Sequence, residues 1–198
     1  MCLIAASVAF SCGAASEPEI KDFTASLSSG LPSVISSVTS QSERIKEIAA
    51  RIASSENAFF IGRGIDRYAA EEGSLKLKEI SYIHSEAYPA GELKHGTLSL
   101  ISDGVPVIAS ASLPSLYGKT KASLSEVKAR GALTILVTAE DTAAEGDADF
   151  IIQIHSESEA LTAIAAVTVY QLLAYHTAVL RGTDVDMPKN LAKSVTVE

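Results

Sequence analysis

The fold of this chain is decided by residues 58–83, which read AFFIGRGIDRYAAEEGSLKLKEISYI. The stretch opens with a short apolar run that ends at Gly62, and such a run is typical of a buried β-strand. A helical pattern follows over Ala69–Ile83. A buried strand, a glycine-rich turn and a helix in this order are typical of a parallel α/β sheet.

The same alternation recurs along the chain. Apolar runs stand at 105–108, 133–137 and 150–154, and 86–88 is a very short fifth run. Helical patterns over 116–130 and 159–181 each end at a glycine. Continuous apolar strands that alternate with helices predict a parallel sheet covered on both faces. We therefore expect a three-layer, doubly wound, flavodoxin-like α/β domain with five mostly parallel strands, over about residues 40–181.

Two regions flank this domain. Residues 1–39 contain the apolar run Met1–Ser16 and a helix-like segment, Glu19–Val38, interrupted at Gly30 and Pro32. The apolar run has the length of a secretory signal but lacks the basic start of one, which favours a buried helix segment. We count no apolar stretch of the ~18 residues that a membrane span needs. Residues 182–198 form a polar tail.

Composition excludes several classes of protein. The chain has 198 residues, a net charge of −8 and a pI near 5.0, which argues against nucleic-acid or anionic-membrane partners. Its two cysteines, Cys2 and Cys12, support neither a disulfide framework nor a thiolate zinc site, and they suit a reducing cytoplasm. The four histidines lack metal-ligand spacing. We expect no metal and no other cofactor.

The helix over 69–83 carries the strongest candidate site. On a helical wheel, Glu72, Lys76 and Glu79 fall inside an arc that also holds Leu75 and Leu77. Charges on an apolar face must be paired or functional, because desolvating them singly is costly. A structural Glu–Lys–Glu ladder and a reactive site both fit this pattern.

Three other features can each be explained by a functional role or by an ordinary structural one. The turn Gly62–Gly64 suits close approach of an anion to the backbone, or it is only a tight turn. His95, between Gly91 and Gly96, suits an exposed acid or base, or it is a surface histidine. Lys193, in a tail of small and apolar residues, becomes a Schiff-base candidate if poorly hydrated, but such a tail can equally fray.

At these residues the chain resembles a known family. Residues 72–84, 86–88 and 91–96 resemble the second sugar-isomerase (SIS) domain of the glutamine–fructose-6-phosphate aminotransferases, also called glucosamine-6-phosphate synthases. The tail over 182–198 resembles the C-terminus of the same enzymes. The resemblance runs from about residue 40 to residue 198.

The resemblance implies a role for each candidate. Glu79 matches the base that moves a proton between C1 and C2 of the sugar, and Lys193 matches the lysine that forms a Schiff base with C2. His95 matches the histidine that opens the fructose ring, acting in the site of the neighbouring subunit. Lys76 matches a lysine on the catalytic helix that stabilises the intermediate. The remaining substrate-binding residues we expect are Glu72, Ala192, Gly62 and Gly64.

The chain also departs from the family pattern. The family enzymes carry a glutaminase domain and a first SIS domain before this one, and 198 residues leave no room for them. Cys2 follows the start methionine, as the glutaminase nucleophile does, but its context differs and we expect a structural role. The loop Ser110–Pro114 lacks the glycine and threonine of a phosphate cradle. Residues 1–39 then correspond to a helical connector.

The resemblance predicts the C-terminal isomerase half-site of a glucosamine-6-phosphate synthase, acting on fructose 6-phosphate and glutamine-derived ammonia. It also implies a homodimer and little activity of the chain alone; the composition had already argued against a nucleic-acid or membrane partner. Two rivals stay open. One is a non-catalytic SIS module that binds a phosphosugar for regulation or assembly, and the other is a pure dimerisation fragment.

Overall fold

A computed structural model describes residues 2–156 and 158–189. Its centre is a sheet of five strands in the order β2-β1-β3-β4-β5, with every neighbouring pair parallel. The prediction of a five-stranded, doubly wound sheet is confirmed. The strands are β1 (Asn57–Gly62), β2 (His84–Pro89), β3 (Pro106–Ala111), β4 (Leu133–Ala139) and β5 (Phe150–Ile154).

Helices cover both faces of the sheet. The cluster of buried residues on one face joins α3, α4 and α6, and α2 packs on α6; the cluster on the other face joins α5 and the first of two short 3₁₀ turns. The helices are α1 (Cys2–Ser11), α2 (Glu17–Thr39), α3 (Ser42–Ile52), α4 (Ile65–Ser81), α5 (Pro114–Lys128) and α6 (Glu159–Leu180), and the 3₁₀ turns are Glu92–His95 and Thr97–Leu100.

A glycine sets how closely α4 lies on the sheet. A Cβ at Gly73 would stand 2.7 Å from the ring of Tyr170 and 2.8 Å from that of Phe60. These two rings pack edge-on, with centroids 5.4 Å apart. Only a residue without a side chain fits there, so the inner face of α4 is fixed against α6 and β1.

The N-terminal region differs from the sequence prediction. Ala6 is the one buried residue described in α1, while Leu3, Ile4, Val8 and Phe10 are exposed, so the expectation of a buried helix segment is wrong. The helix α2 also runs unbroken through Gly30 and Pro32. Gly30 marks a close contact with α6, because a Cβ there would stand 2.8 Å from Leu161 Cδ1.

The helix α6 corrects a second expectation. By length and composition it is long and apolar enough to cross a membrane, and it is the one such helix among residues 2–156 and 158–189. Half of its most apolar window is buried inside the protein. A helix is apolar on most sides when neighbours surround it, and α6 packs against α2, α3, α4 and the sheet.

Candidate functional site

The carboxyl ends of β1 and β3 form the crevice where ligands bind in open α/β sheets. These strands are neighbours, but the chain leaves β1 toward β2 and leaves β3 toward β4. The predicted turn Gly62–Gly64 lies here. A Cβ at Gly62 would stand 2.3 Å from the carbonyl oxygen of Asp66, and Gly64 has a positive φ of 58°. Both glycines are therefore required by the turn itself.

A carboxylate of the protein occupies this crevice. Asp66, in the first turn of α4, is buried and accepts hydrogen bonds of 2.9 Å from Ser110 Oγ and from the backbone amide of Ser112. Burial raises the pKa of Asp66, and these hydrogen bonds oppose the rise. The Ser110 hydroxyl and the Ser112 amide are thus already occupied by the protein. Sequence reasoning missed Asp66, although an acid in the first turn after a glycine-rich loop was a usable signal.

Beside the crevice, Gly62 and Gly64 also line a small cavity of about 320 Å³. Three cationic side chains, Arg63, Arg67 and Lys119, share its lining with Glu92. The Arg63 guanidinium donates to Ser123 Oγ over 3.2 Å. The cavity is cationic in a protein whose net charge is −8. A role for the two glycines in substrate binding remains a prediction.

The predicted charges of α4 are brought together on its outer flank. Lys76 Nζ lies 2.7 Å from Glu79 Oε2 and 3.6 Å from Glu72 Oε1. The hydrogen bond to Glu79 raises the pKa of Lys76, burial opposes the rise, and the charge on Glu72 adds to it. Lys76 therefore stays protonated near neutral pH, which suits electrostatic stabilisation and not nucleophilic attack.

The surroundings of this triad differ from the helical-wheel prediction. The three side chains are 25–38% exposed, and Leu75, which we placed on the apolar arc, is 40% exposed. The buried face of α4 lies further round the helix. The wheel erred because small residues, Ala70, Gly73 and Ser74, form much of the real contact face.

An exposed stripe runs along α4 through the triad. It alternates spacings of three and four residues, which is the pattern of a helix that packs against a partner. Two of its members are the glutamates of the triad, and the others are large side chains left exposed. The stripe consists of Ile65, Tyr68, Glu72, Leu75, Glu79 and Tyr82.

The structure does not bring His95 to the triad within one chain. His95 ends the first 3₁₀ turn, whose Leu93 is buried in the cluster on the α5 face, whereas α4 covers the opposite face. That turn also follows the carboxyl end of β2, while Glu79 precedes its start. The six residues of β2 alone span about 20 Å. His95 therefore lies away from the triad of its own chain.

The predicted Lys193 and Ala192 lie outside the described residues. The described tail, 182–189, is bound to the C-terminal end of α4. Thr183 Oγ1 donates to the carbonyl of Ile80 over 2.7 Å, and the amide of Lys189 donates to the Tyr82 hydroxyl over 2.7 Å. Sequence reasoning missed these contacts, which join segments about a hundred residues apart. Across the part of the chain that the structure describes, no group of three metal-ligating side chains is present.

Comparison with known families decides the class of the domain. The family model described as the SIS domain matches residues 51–181. The chain belongs to the SIS domain family. The sheet order and the helix-covered faces agree with this SIS α/β fold.

The similar proteins of known sequence are longer enzymes. The chain is 49% identical over 169 residues to a glutamine–fructose-6-phosphate aminotransferase (isomerizing) of Bordetella pertussis, covering 85% of the chain and 28% of that protein. It is 45% identical over 197 residues to the enzyme of the same name from Caldanaerobacter subterraneus, covering 99% of the chain and 32% of that protein. The chain thus spans about a third of the length of these relatives.

Solved structures agree with the fold. The C-terminal domain of glucosamine-fructose-6-phosphate aminotransferase from Francisella tularensis superposes with a TM-score of 0.82 and 34% identity, covering 89% of this SIS chain and 50% of that one. A glucosamine-6-phosphate deaminase from Thermotoga maritima gives a TM-score of 0.66 at 22% identity, covering 95% and 52% of the two chains, which supports the fold alone.

Proposed function

We propose that this SIS domain is the C-terminal isomerase half-site of a glutamine–fructose-6-phosphate aminotransferase. The observation that carries the proposal is the Glu72–Lys76–Glu79 triad, whose two glutamates belong to the exposed stripe of α4, with the C-terminal segment bound at the same end of the helix. The names of the relatives from Bordetella and Caldanaerobacter supply the substrates, fructose 6-phosphate and glutamine-derived ammonia.

Lys193 forms the covalent intermediate in this proposal. Its amine attacks C2 of the open sugar, water leaves, and an imine forms. Ammonia then adds to C2 and displaces the lysine. A covalent imine divides one difficult exchange into two easier steps. The lysine must be deprotonated to attack, so we expect a poorly hydrated site that lowers its pKa.

Glu79 performs the isomerisation. Its carboxylate takes a proton from C1 and returns it to C2, while the proton of the C1 hydroxyl passes to the imine nitrogen, which converts the C2 imine into a C2 amine and the C1 alcohol into an aldehyde. The ammonium of Lys76, 2.7 Å from Glu79, stabilises the negative charge that develops between these carbons. Glu72 holds Lys76 from its other side.

His95 opens the fructose ring in the site of a second copy. Its position on the opposite face of the sheet and at the opposite end of β2 from Glu79 supports action between subunits. A homodimer that exchanges His95 is therefore part of the proposal. In this proposal the phosphate is held by another SIS domain, since Asp66 already accepts the Ser110 hydroxyl and the Ser112 amide.

The test uses a chimera in which this chain replaces the matching 197 residues of the Caldanaerobacter relative. We expect borohydride to trap fructose 6-phosphate on Lys193, and Lys193→Arg to abolish trapping. Glu79→Gln should still trap but lose isomerisation by roughly 10²–10⁴-fold. Glu71→Gln, on the solvent side of the same helix, is the matched control and should keep full activity.

Two results would overturn the assignment: an adduct on Lys76 or Lys94, or isomerisation that survives Glu79→Gln. The chain by itself, given fructose 6-phosphate and ammonium, should form little glucosamine 6-phosphate, because it lacks a phosphate grip. Turnover near that of the chimera would contradict this part of the proposal. Binding of fructose 6-phosphate by the chimera without any trapping would instead favour a non-catalytic SIS module.

A further inference from the structure

Two residues bind the C-terminal segment to α4 and have no part in the chemistry proposed above. Tyr82 caps the C-terminal end of α4 in a left-handed conformation, φ 60° and ψ 18°, which is uncommon for a residue other than glycine. Its hydroxyl accepts the backbone amide of Lys189 over 2.7 Å, and its ring lies 5.7 Å from the Lys189 ammonium. Both contacts converge on a residue four positions before Lys193.

Thr183 fixes the other end of this segment. Its hydroxyl donates to the carbonyl of Ile80, one of the C-terminal carbonyls that a helix leaves without an internal partner. Its amide donates to the carbonyl of Ala178. Between the two anchors, Asp184 Oδ1 accepts the amides of Asp186 and Met187 and closes a turn. Residues 183–189 are thus held at both ends and folded in the middle.

This geometry points to Tyr82 as a positioning residue for the imine-forming lysine, an inference that rests on the proposed function. Lys189 stands four positions before Lys193 in the sequence, so Tyr82 holds the described segment that leads to the proposed nucleophile. Tyr82 follows Glu79 by three residues, which is one helical turn. The anchor of the nucleophile and the proton-transfer group are therefore carried by adjacent turns of one element.

The first test removes the acceptor and the donor of the anchoring hydrogen bond separately, in the chimera described above. Tyr82→Phe keeps the ring and loses the hydroxyl. Lys189→Pro leaves α4 unchanged and loses the amide hydrogen. We expect each to slow borohydride trapping about five- to tenfold, the usual value of one hydrogen bond. The decrease should appear in kcat, with the KM for fructose 6-phosphate nearly unchanged, because the phosphate and hydroxyl contacts stay in place.

Matched variants separate the hydrogen bond from other effects. Lys189→Met removes the ammonium and keeps the amide, so it should trap at close to the wild-type rate. Tyr175→Phe removes an exposed hydroxyl from α6 and should have no effect. In the chain alone, hydrogen exchange at the Lys189 amide should accelerate in Tyr82→Phe, while the free energy of unfolding stays the same.

The outcomes distinguish this inference from the proposed function. If Lys193→Arg traps normally, the proposed function fails and the positioning role falls with it. If Lys193→Arg abolishes trapping while Tyr82→Phe and Lys189→Pro both trap at the wild-type rate, only the positioning role is overturned. Unchanged exchange at Lys189 in Tyr82→Phe would overturn it as well. If Tyr82→Phe lowers the melting temperature, the trapping rate of Lys189→Pro alone decides whether the positioning role holds.

Discussion

The two ends of α4 differ in how their charged side chains are placed. At the N-terminal end, Gly62 and Gly64 shape a turn around Asp66, whose buried carboxylate is satisfied by the neighbouring loop. In the C-terminal half, Lys76 and Glu79 pair on an exposed flank. At the N-terminal end, the carboxylate of Asp66 finds its hydrogen-bond partners within this domain. The C-terminal half presents charges and apolar side chains together, and such a surface is completed by a substrate or by another surface.

The difference concerns where this SIS domain carries charged side chains that its own fold does not bury. A crevice at the carboxyl ends of the strands is the usual ligand site of open α/β sheets. Here Asp66 accepts two donors of the neighbouring loop, while the charges of Glu72, Lys76 and Glu79 lie on the outer flank of the helix. We call the N-terminal end of α4, around Asp66, the closed end, and the C-terminal half, which carries Lys76 and Glu79, the open end. The predictions test whether the closed end is structural and the open end functional, from the largest expected effect on stability to the smallest.

The closed end should tolerate change least. In Gly62→Val the new side chain meets the backbone of Asp66 and Arg67, which cannot move aside, and we expect a loss of about 3 kcal/mol or more in the free energy of unfolding. Gly118→Ala in α5, where a Cβ meets nothing within 4 Å, should be neutral or slightly stabilising. Urea unfolding measures both. Equal, small effects would show that the turn is not rigid.

Asp66→Ala should give the second-largest loss in the free energy of unfolding. It leaves Ser110 Oγ and the Ser112 amide buried without a partner, at a cost of about 2–3 kcal/mol. Asp22→Ala, an exposed acid on α2, is the control and should stay within about 0.5 kcal/mol. If Asp66→Ala were as stable as the wild type, the crevice would be free to accept a ligand, and the contrast between the two ends would be lost.

The carboxylate of Asp66 also makes a smaller, pH-dependent contribution to the free energy of unfolding. Its pKa in the folded protein is raised above the unfolded value of 3.8 by burial. The folded state then binds the proton more readily, so this contribution to stability is full below pH 3.8 and is lost as the pH rises through the folded pKa. The stability difference between wild type and Asp66→Ala should therefore be larger at pH 3.5 than at pH 7. A difference that grows with rising pH would reverse the assigned sign.

The sequence predicted the helices, the strands and the local charge pattern better than it predicted the long-range contacts. Strands and helices follow from apolar periodicity, so β1 through β5 and α4 were found within a few residues. The triad was found because Glu72, Lys76 and Glu79 recur at helical spacing. Asp66 and Tyr82 were missed, since their partners Ser112 and Lys189 are distant in sequence and no local pattern marks a long-range hydrogen bond.

At the open end, a substitution should change activity more than it changes stability. Lys76→Met removes a cation from a pair that is about a third exposed, so we expect less than about 1 kcal/mol change in the free energy of unfolding. In the chimera the same change should lower isomerisation by at least tenfold, because the charge beside Glu79 is lost. A variant that is both fully active and stable would place the triad among ordinary surface ion pairs.

The smallest effect on stability belongs to the exposed stripe itself. Leu75 is 40% exposed between Glu72 and Glu79, so Leu75→Asp removes few internal contacts and should change the free energy of unfolding by no more than about 0.5 kcal/mol. Its effect should appear in association. An uncovered apolar stripe favours contact between copies, and we expect the wild-type chain to self-associate in sedimentation velocity and Leu75→Asp to shift toward monomer.

The exposed apolar side chains of α1 offer a competing surface, which makes Leu3→Asp the informative counterpart. It changes a leucine outside the stripe that is more exposed, 64% against 40%, and should leave association as it was. If Leu3→Asp dissociates the copies and Leu75→Asp does not, then α1 is the contact surface and the stripe of α4 is uncovered for another reason. If only Leu75→Asp dissociates them, the surface that carries Glu72 and Glu79 is the one that a second SIS surface covers, and water is excluded from the triad by that contact.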